Sequence, residues 1–325
     1  MPKELTHWML AGQAAQRLDP GRIKDAVTAC PNLYLLGAVV LDTPLYALYC
    51  SDTFNKISLR LHGTRGEDTF QALHQLVAAC PRNPPQEVLA LFCGIMSHIM
   101  ADCAFHPWVC YFSGPCNDVA PHLTQKSLAR HRLLETWLDV HTFSQKPWLS
   151  GKLFAQVLYG AETSRSRLLE MLSLLYFNGR PGHETQISLS LVSHGFLQWV
   201  FLKEIFFRGF EKVNHLAGNR WDAYATLFYP KTGPDGGPLF ARPLDYRHPV
   251  TGRPRNHPLA RLEDKAVSWT ARFFQIMEKH LENNTFLEWF GRLKGPSLET
   301  GLVGVPGAAS RHINMEADLD AVIGL

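Results

Sequence analysis

The stretch from Gln86 to Phe105 is apolar enough to sit inside a core, yet it carries His98 and Asp102 and leads directly into His106. The spacing is i, i+4, i+8. Each four-residue step turns an α-helix about 40° past one revolution and rises roughly 6 Å, so all three side chains project from one face. Their neighbours Ile95, Ile99, Met100 and Trp108 are apolar. Two imidazoles and a carboxylate in such surroundings need partners, because an unpaired buried polar group costs kilocalories. A metal ion supplies them; a hydrogen-bonded His–Asp core cluster is the alternative.

A second segment repeats the pattern. HRLLETWLD places His131, Glu135 and Asp139 at i, i+4, i+8. Two helices that each offer a His/carboxylate face can clasp metals between them. Imidazole with carboxylate, and no thiolate at these positions, suits zinc rather than a structural cysteine site. Asp139 can alternatively hold a ligand histidine as an outer acceptor. Three further candidates lie upstream: His7 in THW, Asp42 in GAVVLDTPLY and His62 in LHGTRG. Taken singly, each has an ordinary reading: a helix surface residue, a helix cap and a solvated loop histidine.

Helical periodicity dominates the remainder. The pattern and its proline stops predict helices over Glu4–Leu18, Thr69–Cys80, Gln86–Phe105, Leu123–Phe143, Ser164–Phe177, Thr185–His215 and Leu259–Leu281, hence an all-α chain. The predicted organisation is one all-helical metal-binding domain over residues 1–325, with ligands within 1–140 and further helices and loops over 141–325. Tyr229–His257 is rich in Gly and Pro without periodicity, which predicts a long ordered loop or a linker; either it packs near the metal mouth, with Tyr246, Arg247 and His248 as candidate substrate contacts, or it is a surface excursion with no role. Gly195–Phe210 is the most apolar and aromatic segment, but Gln198, Lys203, Glu204 and Arg208 interrupt it, so it reads as a buried helix and not as a membrane span. The formal charge of +3 is too small to argue for nucleic acid. The seven cysteines form no C-x-x-C pair and read as buried or free thiols of a reducing compartment. With no signal segment in MPKELTHWML, the expected location is the cytoplasm.

The order of the motifs carries more than any one of them. THW, LDTPLY, LHG, SHIMAD-x3-HP and RHRLLE-x3-D, over roughly residues 4 to 140, resemble the zinc-dependent phospholipase C family, which is related in fold to the single-strand-specific fungal nucleases. The resemblance implies a metal-dependent phosphodiester hydrolase. It implies one zinc on Asp42, His62, His98 and Asp102, a second on His106, His131 and Glu135, and a third on His7 shared through Asp102. In that family the third zinc also takes the α-amine of an N-terminal Trp. This chain has Met1 and Pro2 instead, so its third site is altered, weaker or missing, and helix geometry predicts that the Pro2 amine does not coordinate.

The implied reaction is attack of a metal-activated water on a phosphate ester, with Asp42 as both ligand and the carboxylate that orients or deprotonates that water. The expected substrate is a small phosphate ester or a phospholipid. A nuclease on the same scaffold would favour a basic, aromatic groove, which the charge does not support. A binding protein that keeps its metals structurally is the remaining alternative.

Overall fold

The computed structural model describes residues 3–49, 51–80, 83–114, 121–145, 152–218, 220–230 and 239–323. Met1 and Pro2, Cys50, Cys116 and the Pro234–Pro238 loop tip lie outside the described residues, and so do the expectations attached to them. The chain is mostly α-helical, as the periodicity predicts. The helices that build the site are α1 (Glu4–Gln16), α2 (Arg22–Ala29), α3 (Pro31–Val40), α4 (Ser51–Leu61), α5 (Gln71–Ala78), α6 (Gln86–Ser113) and α7 (Pro121–Gln145). Around them lie α8 (Phe154–Tyr159), α9 (Arg165–Phe177), α10 (Glu184–Phe201), α11 (Glu204–Leu216), α12 (Asp222–Ala225), α13 (Leu259–Glu282), α14 (Phe286–Gly291) and α15 (Leu319–Ile323).

Helix α6 is the axis. It is apolar on every side and buried along nearly its whole length, which is what a helix hydrophobic all round requires. By length and composition it could cross a membrane, but here the other helices cover it. Pro85 precedes its first turn and Gly114, at φ 78°, ends it. Helix α3 approaches it most closely at Gly37 and Gly94. A Cβ on Gly94 would collide with the carbonyl of Tyr34 and come within 2.8 Å of the Gly37 Cα. This contact sets the distance between the two backbones one turn before His98.

The helix does not stop at His106-Pro107, as the proline predicts, but runs on to Ser113. An interior proline costs about 3 kcal/mol. Burial of Trp108, Val109 and Phe112 beyond it offsets that cost. Pro107 leaves the Cys103 carbonyl without its helical N–H. That carbonyl faces Gly301, where φ is +67° and a Cβ would sit 3.0 Å from the oxygen.

Two other expectations change. Thr185–His215 is not one helix: Lys203 is extended at φ −109°, ψ 117° and separates α10 from α11. Much of Gly195–Phe210 is exposed, not buried; apolar composition alone could not say which flank of the hairpin meets solvent. Within Tyr229–His257 the strands β1 (Leu244–Arg247) and β2 (Pro254–His257) pair antiparallel, with Leu244 opposite His257 and Arg247 opposite Pro254. Four-residue strands are too short to announce themselves by alternation. The hairpin rests on α6 through Tyr246 against Tyr111. The His248 ring accepts the N–H groups of Val250 and Thr251 in the turn.

Candidate metal centre

Five segments converge on one buried spot. Helix α1 brings His7, the turn Thr43–Tyr46 after α3 brings Asp42, the end of α4 brings His62, α6 brings His98, Asp102 and His106, and α7 brings His131 and Glu135. All eight residues that the resemblance implies as ligands meet there. His7 is buried, with its ring stacked on His98 at 4.2 Å. Three groups have donor atoms within 4.8 Å of one another: His7, Asp42 and His98; His62, His98 and Asp102; and His106, His131 and Glu135.

Asp102 is the hub. Its oxygens lie 3.4 Å from His7 Nε2, 3.2 Å from His98 Nε2 and 3.8 Å from His106 Nε2. Asp42 Oδ1 lies 3.2 Å from His62 Nε2 and 3.7 Å from His98 Nε2. Glu135 Oε1 lies 2.7 Å from His131 Nε2 and 3.8 Å from His106 Nε2.

The other ring nitrogens fix the tautomers. Nδ1 of His62 meets the Ser58 carbonyl at 2.7 Å, Nδ1 of His98 the Ala38 carbonyl at 2.9 Å, and Nδ1 of His106 the Leu298 carbonyl at 2.8 Å. A carbonyl can only accept, so in each ring Nδ1 carries the hydrogen. In the neutral ring Nε2 then presents a lone pair, and in all three cases it presents it to a carboxylate. Lone pair facing anion is repulsive unless a cation lies between them. Ring orientation by an outer carbonyl is also how metal-bound histidines are ordinarily held.

Polar satisfaction points the same way. Both nitrogens of His7, Nε2 of His98 and His106, and both oxygens of Asp102 are buried without a hydrogen-bond partner among the described residues. Such orphans are rare in native proteins and call for an ion or water. The donor set of imidazole and carboxylate fits a divalent metal such as zinc.

Charge states follow from burial and neighbours. Burial pushes the His106 imidazolium down to about 3, against the pull of Asp102. Burial also lowers His7, reinforced by His98, and holds His131 well below the usual imidazole range. These rings are neutral at pH 7 and ready to donate a lone pair. His98 differs: burial lowers it, but Asp102 and Asp42 together raise it to about 9. Burial raises Asp102, yet His106 and His98 hold it well below the usual carboxylate range.

Asp139 is neither ligand nor acceptor for a ligand ring. It caps α1, accepting from Leu5 N at 3.0 Å, Thr6 N at 2.8 Å and Thr6 Oγ1 at 2.6 Å, and from the Tyr229 hydroxyl at 2.7 Å. Bidentate capping of orphan N–H groups fixes the helix start one residue before His7.

Sequence reasoning missed the strap after α14. Leu298 takes Nδ1–H of His106 on its carbonyl and donates its own N–H to the His62 carbonyl at 2.8 Å, so one residue holds two site histidines from 192 and 236 positions away. A backbone contact leaves no side-chain signal. The glycines in GPSLETGLVGVPG are the one hint, with Gly301 and Gly304 both at positive φ.

The family model described as zinc dependent phospholipase C matches residues 6–177, just over half of the 325. The chain belongs to that family. Comparison with curated proteins and with solved structures gives no match.

Proposed function

We propose that this chain is a metal-dependent phosphodiester hydrolase of phospholipase C type, carrying two or three zinc ions. The observation that supports it most is the convergence of Nε2 of His62, His98 and His106, each with its Nδ1 held on a carbonyl, on the carboxylates of Asp42, Asp102 and Glu135. Asp42, His62, His98 and Asp102 would hold one ion, His106, His131 and Glu135 a second, and His7 with Asp102 a third. Bound zinc supplies a Lewis acid that neutralises the phosphate and acidifies water.

The protein's own groups do the rest. The side chains of His131 and Asp42 retain about 15% and 10% exposure, whereas those of His98 and Asp102 retain none, so substrate meets the site at His131 and Asp42. Asp42 accepts the proton from the water that attacks phosphorus, while the P–O bond to the leaving alcohol breaks and that alcohol's oxygen takes up a proton, returned from Asp42 or drawn from solvent. Asp102 keeps His7, His98 and His106 on one centre, and the carbonyls of Ala38, Ser58 and Leu298 fix the ring planes, so no reorganisation is needed during reaction. The apolar surface of α6 keeps bulk water from the far side. Cys30, Cys93 and Cys103 are buried free thiols, consistent with action in the cytoplasm on an internal phosphate ester or phospholipid.

Protein purified without chelator should hold at least two equivalents of zinc per chain by elemental analysis. It should also hydrolyse a soluble phosphodiester, losing the activity to chelator and regaining it with zinc. Less than one equivalent after zinc-supplemented purification, or no hydrolysis across a panel of diesters, overturns the reading.

A further inference from the structure

Eighteen large apolar side chains are exposed among the described residues, and ten of them fall between Leu189 and Tyr224. Monomers rarely gather exposed apolar residues this way unless the surface meets something. On α10 the stripe Leu189, Val192, Phe196 and Trp199 follows helical spacing on the side opposite the buried Ile187, Leu191 and His194. It runs about 15 Å along the axis and contains no charge. Trp199 continues it across to α11, where the Phe206 ring lies 5.2 Å away. The family match ends at residue 177, so this surface lies outside it.

The stripe is joined to the metal centre. Asp42 opens the turn Thr43–Tyr46, and that turn is fastened to the inner face of α10. Thr43 Oγ1 lies 2.9 Å from His194 Nδ1, and the Tyr46 ring stacks on His194 at 4.1 Å. The same turn continues into exposed apolar residues, Leu45 at 51%, Leu48 at 56% and Tyr49 at 64%. Apolar surface therefore begins three residues after Asp42, one of the two most exposed ligand candidates, and resumes on the helix packed against it.

We propose that the outer face of α10 and α11, with Leu45 and Leu48, is a docking surface for a phospholipid bilayer, which it enters by apolar insertion. This rests on the phosphodiesterase reading above. A phospholipid's phosphodiester lies at headgroup depth, so a buried site reaches it only if the protein lies flush with the bilayer. Helices with aromatic and aliphatic residues on one face do this by burying that face at the acyl boundary. A second copy of the chain seated here would instead cover the segment beside Asp42. Residues 203–222 carry four basic and three acidic side chains, so headgroup charge is not the driving term. The surface suits a zwitterionic bilayer, and binding should resist salt.

The test uses the full chain and phosphatidylcholine vesicles. Wild type should co-sediment with them in both low and high salt. The double variant Phe196→Gln, Trp199→Gln should lose vesicle binding and vesicle hydrolysis at least tenfold, while hydrolysis of a water-soluble chromogenic phosphodiester stays unchanged. Vesicle binding equal to wild type in the variant overturns the proposal. So does a wild type that is dimeric in lipid-free buffer beside a monomeric variant, which would assign the face to self-association. Sedimentation needs no turnover. If no diester is hydrolysed, the enzymatic reading fails while the docking result still stands or falls alone.

Discussion

The metal-bearing helices and the α10–α11 hairpin break opposite rules of a soluble protein. Among the described residues, polar atoms around α6 are buried without hydrogen-bond partners, and aromatic side chains on the hairpin are exposed without cover. Each violation costs free energy in the isolated chain. Each therefore marks a place where something outside the chain completes the structure: a cation in one case, a lipid surface in the other. His194 links the two regions. From the inner face of α10 its ring reaches Thr43, beside Asp42, and Glu4, one turn before His7.

The sharpest way to break the comparison is to remove the hub of the buried region. Asp102 touches three histidines, whereas His7 stands at one edge. Asp102→Asn keeps the shape but replaces one carboxylate oxygen with an amide nitrogen that cannot ligate. It should lower diester hydrolysis by about a hundredfold or more, at or above the upper range for loss of a group supporting a metal, and should reduce bound zinc. His7→Ala should cost less on both measures. The reverse ranking, from kcat/KM and elemental analysis of the two variants, would move the centre of the site away from Asp102.

The link between the regions should respond to acid. Burial raises the Glu4 carboxyl, but its hydrogen bond and charge interaction with His194 bring it down to about 2, from an ordinary 4.5. The folded value lies below the unfolded one. Its contribution is therefore fully present above about 4.5 and is lost as pH falls through about 2. Two and a half units correspond to about 3 kcal/mol for this fully buried pair. Urea denaturation of wild type and Glu4→Gln should differ by that order at pH 6 and converge toward pH 2. Acid release of metal affects both chains and cancels in the difference. A gap that stays constant across the window would show that Glu4 acts by packing and not through its charge.

The two regions were unequally legible. His98, Asp102 and His106, then His131 and Glu135, advertise themselves because helical spacing converts sequence directly into a shared face. His7, Asp42 and His62 have no such local signature, and only the order of motifs joined them to the rest. Leu298 was invisible, because its part is played by a carbonyl and an N–H that every residue has. Pro107 misled, since its local cost is outweighed by packing that no window of sequence contains. The hairpin misled for a related reason. The composition of Gly195–Phe210 says apolar, but whether an apolar helix faces core or solvent depends on what packs against it. Lys203, where the chain turns, carries no glycine or proline to announce the break.

The smallest effect concerns stability, and it separates the two faces of α10 within one helix. Leu191 is buried against the core at 4% exposure, while Phe196, five residues on, is 52% exposed. Truncating a buried leucine removes its transfer free energy and leaves a cavity, so Leu191→Ala should cost 2–5 kcal/mol, by the usual range of about that size. Phe196→Gln removes a ring with half its surface already in water and adds a better helix former at an outward position. Its cost in lipid-free buffer should stay within roughly 0.5 kcal/mol, the spread of ordinary surface changes. Thermal or urea unfolding of the two variants side by side measures both. If Phe196→Gln cost as much as Leu191→Ala, the outer ring would be part of the folded core and its exposure would need another explanation. A near-zero cost means that the aromatic stripe does nothing for the isolated fold, so its value to the protein lies in what it touches when a surface is present.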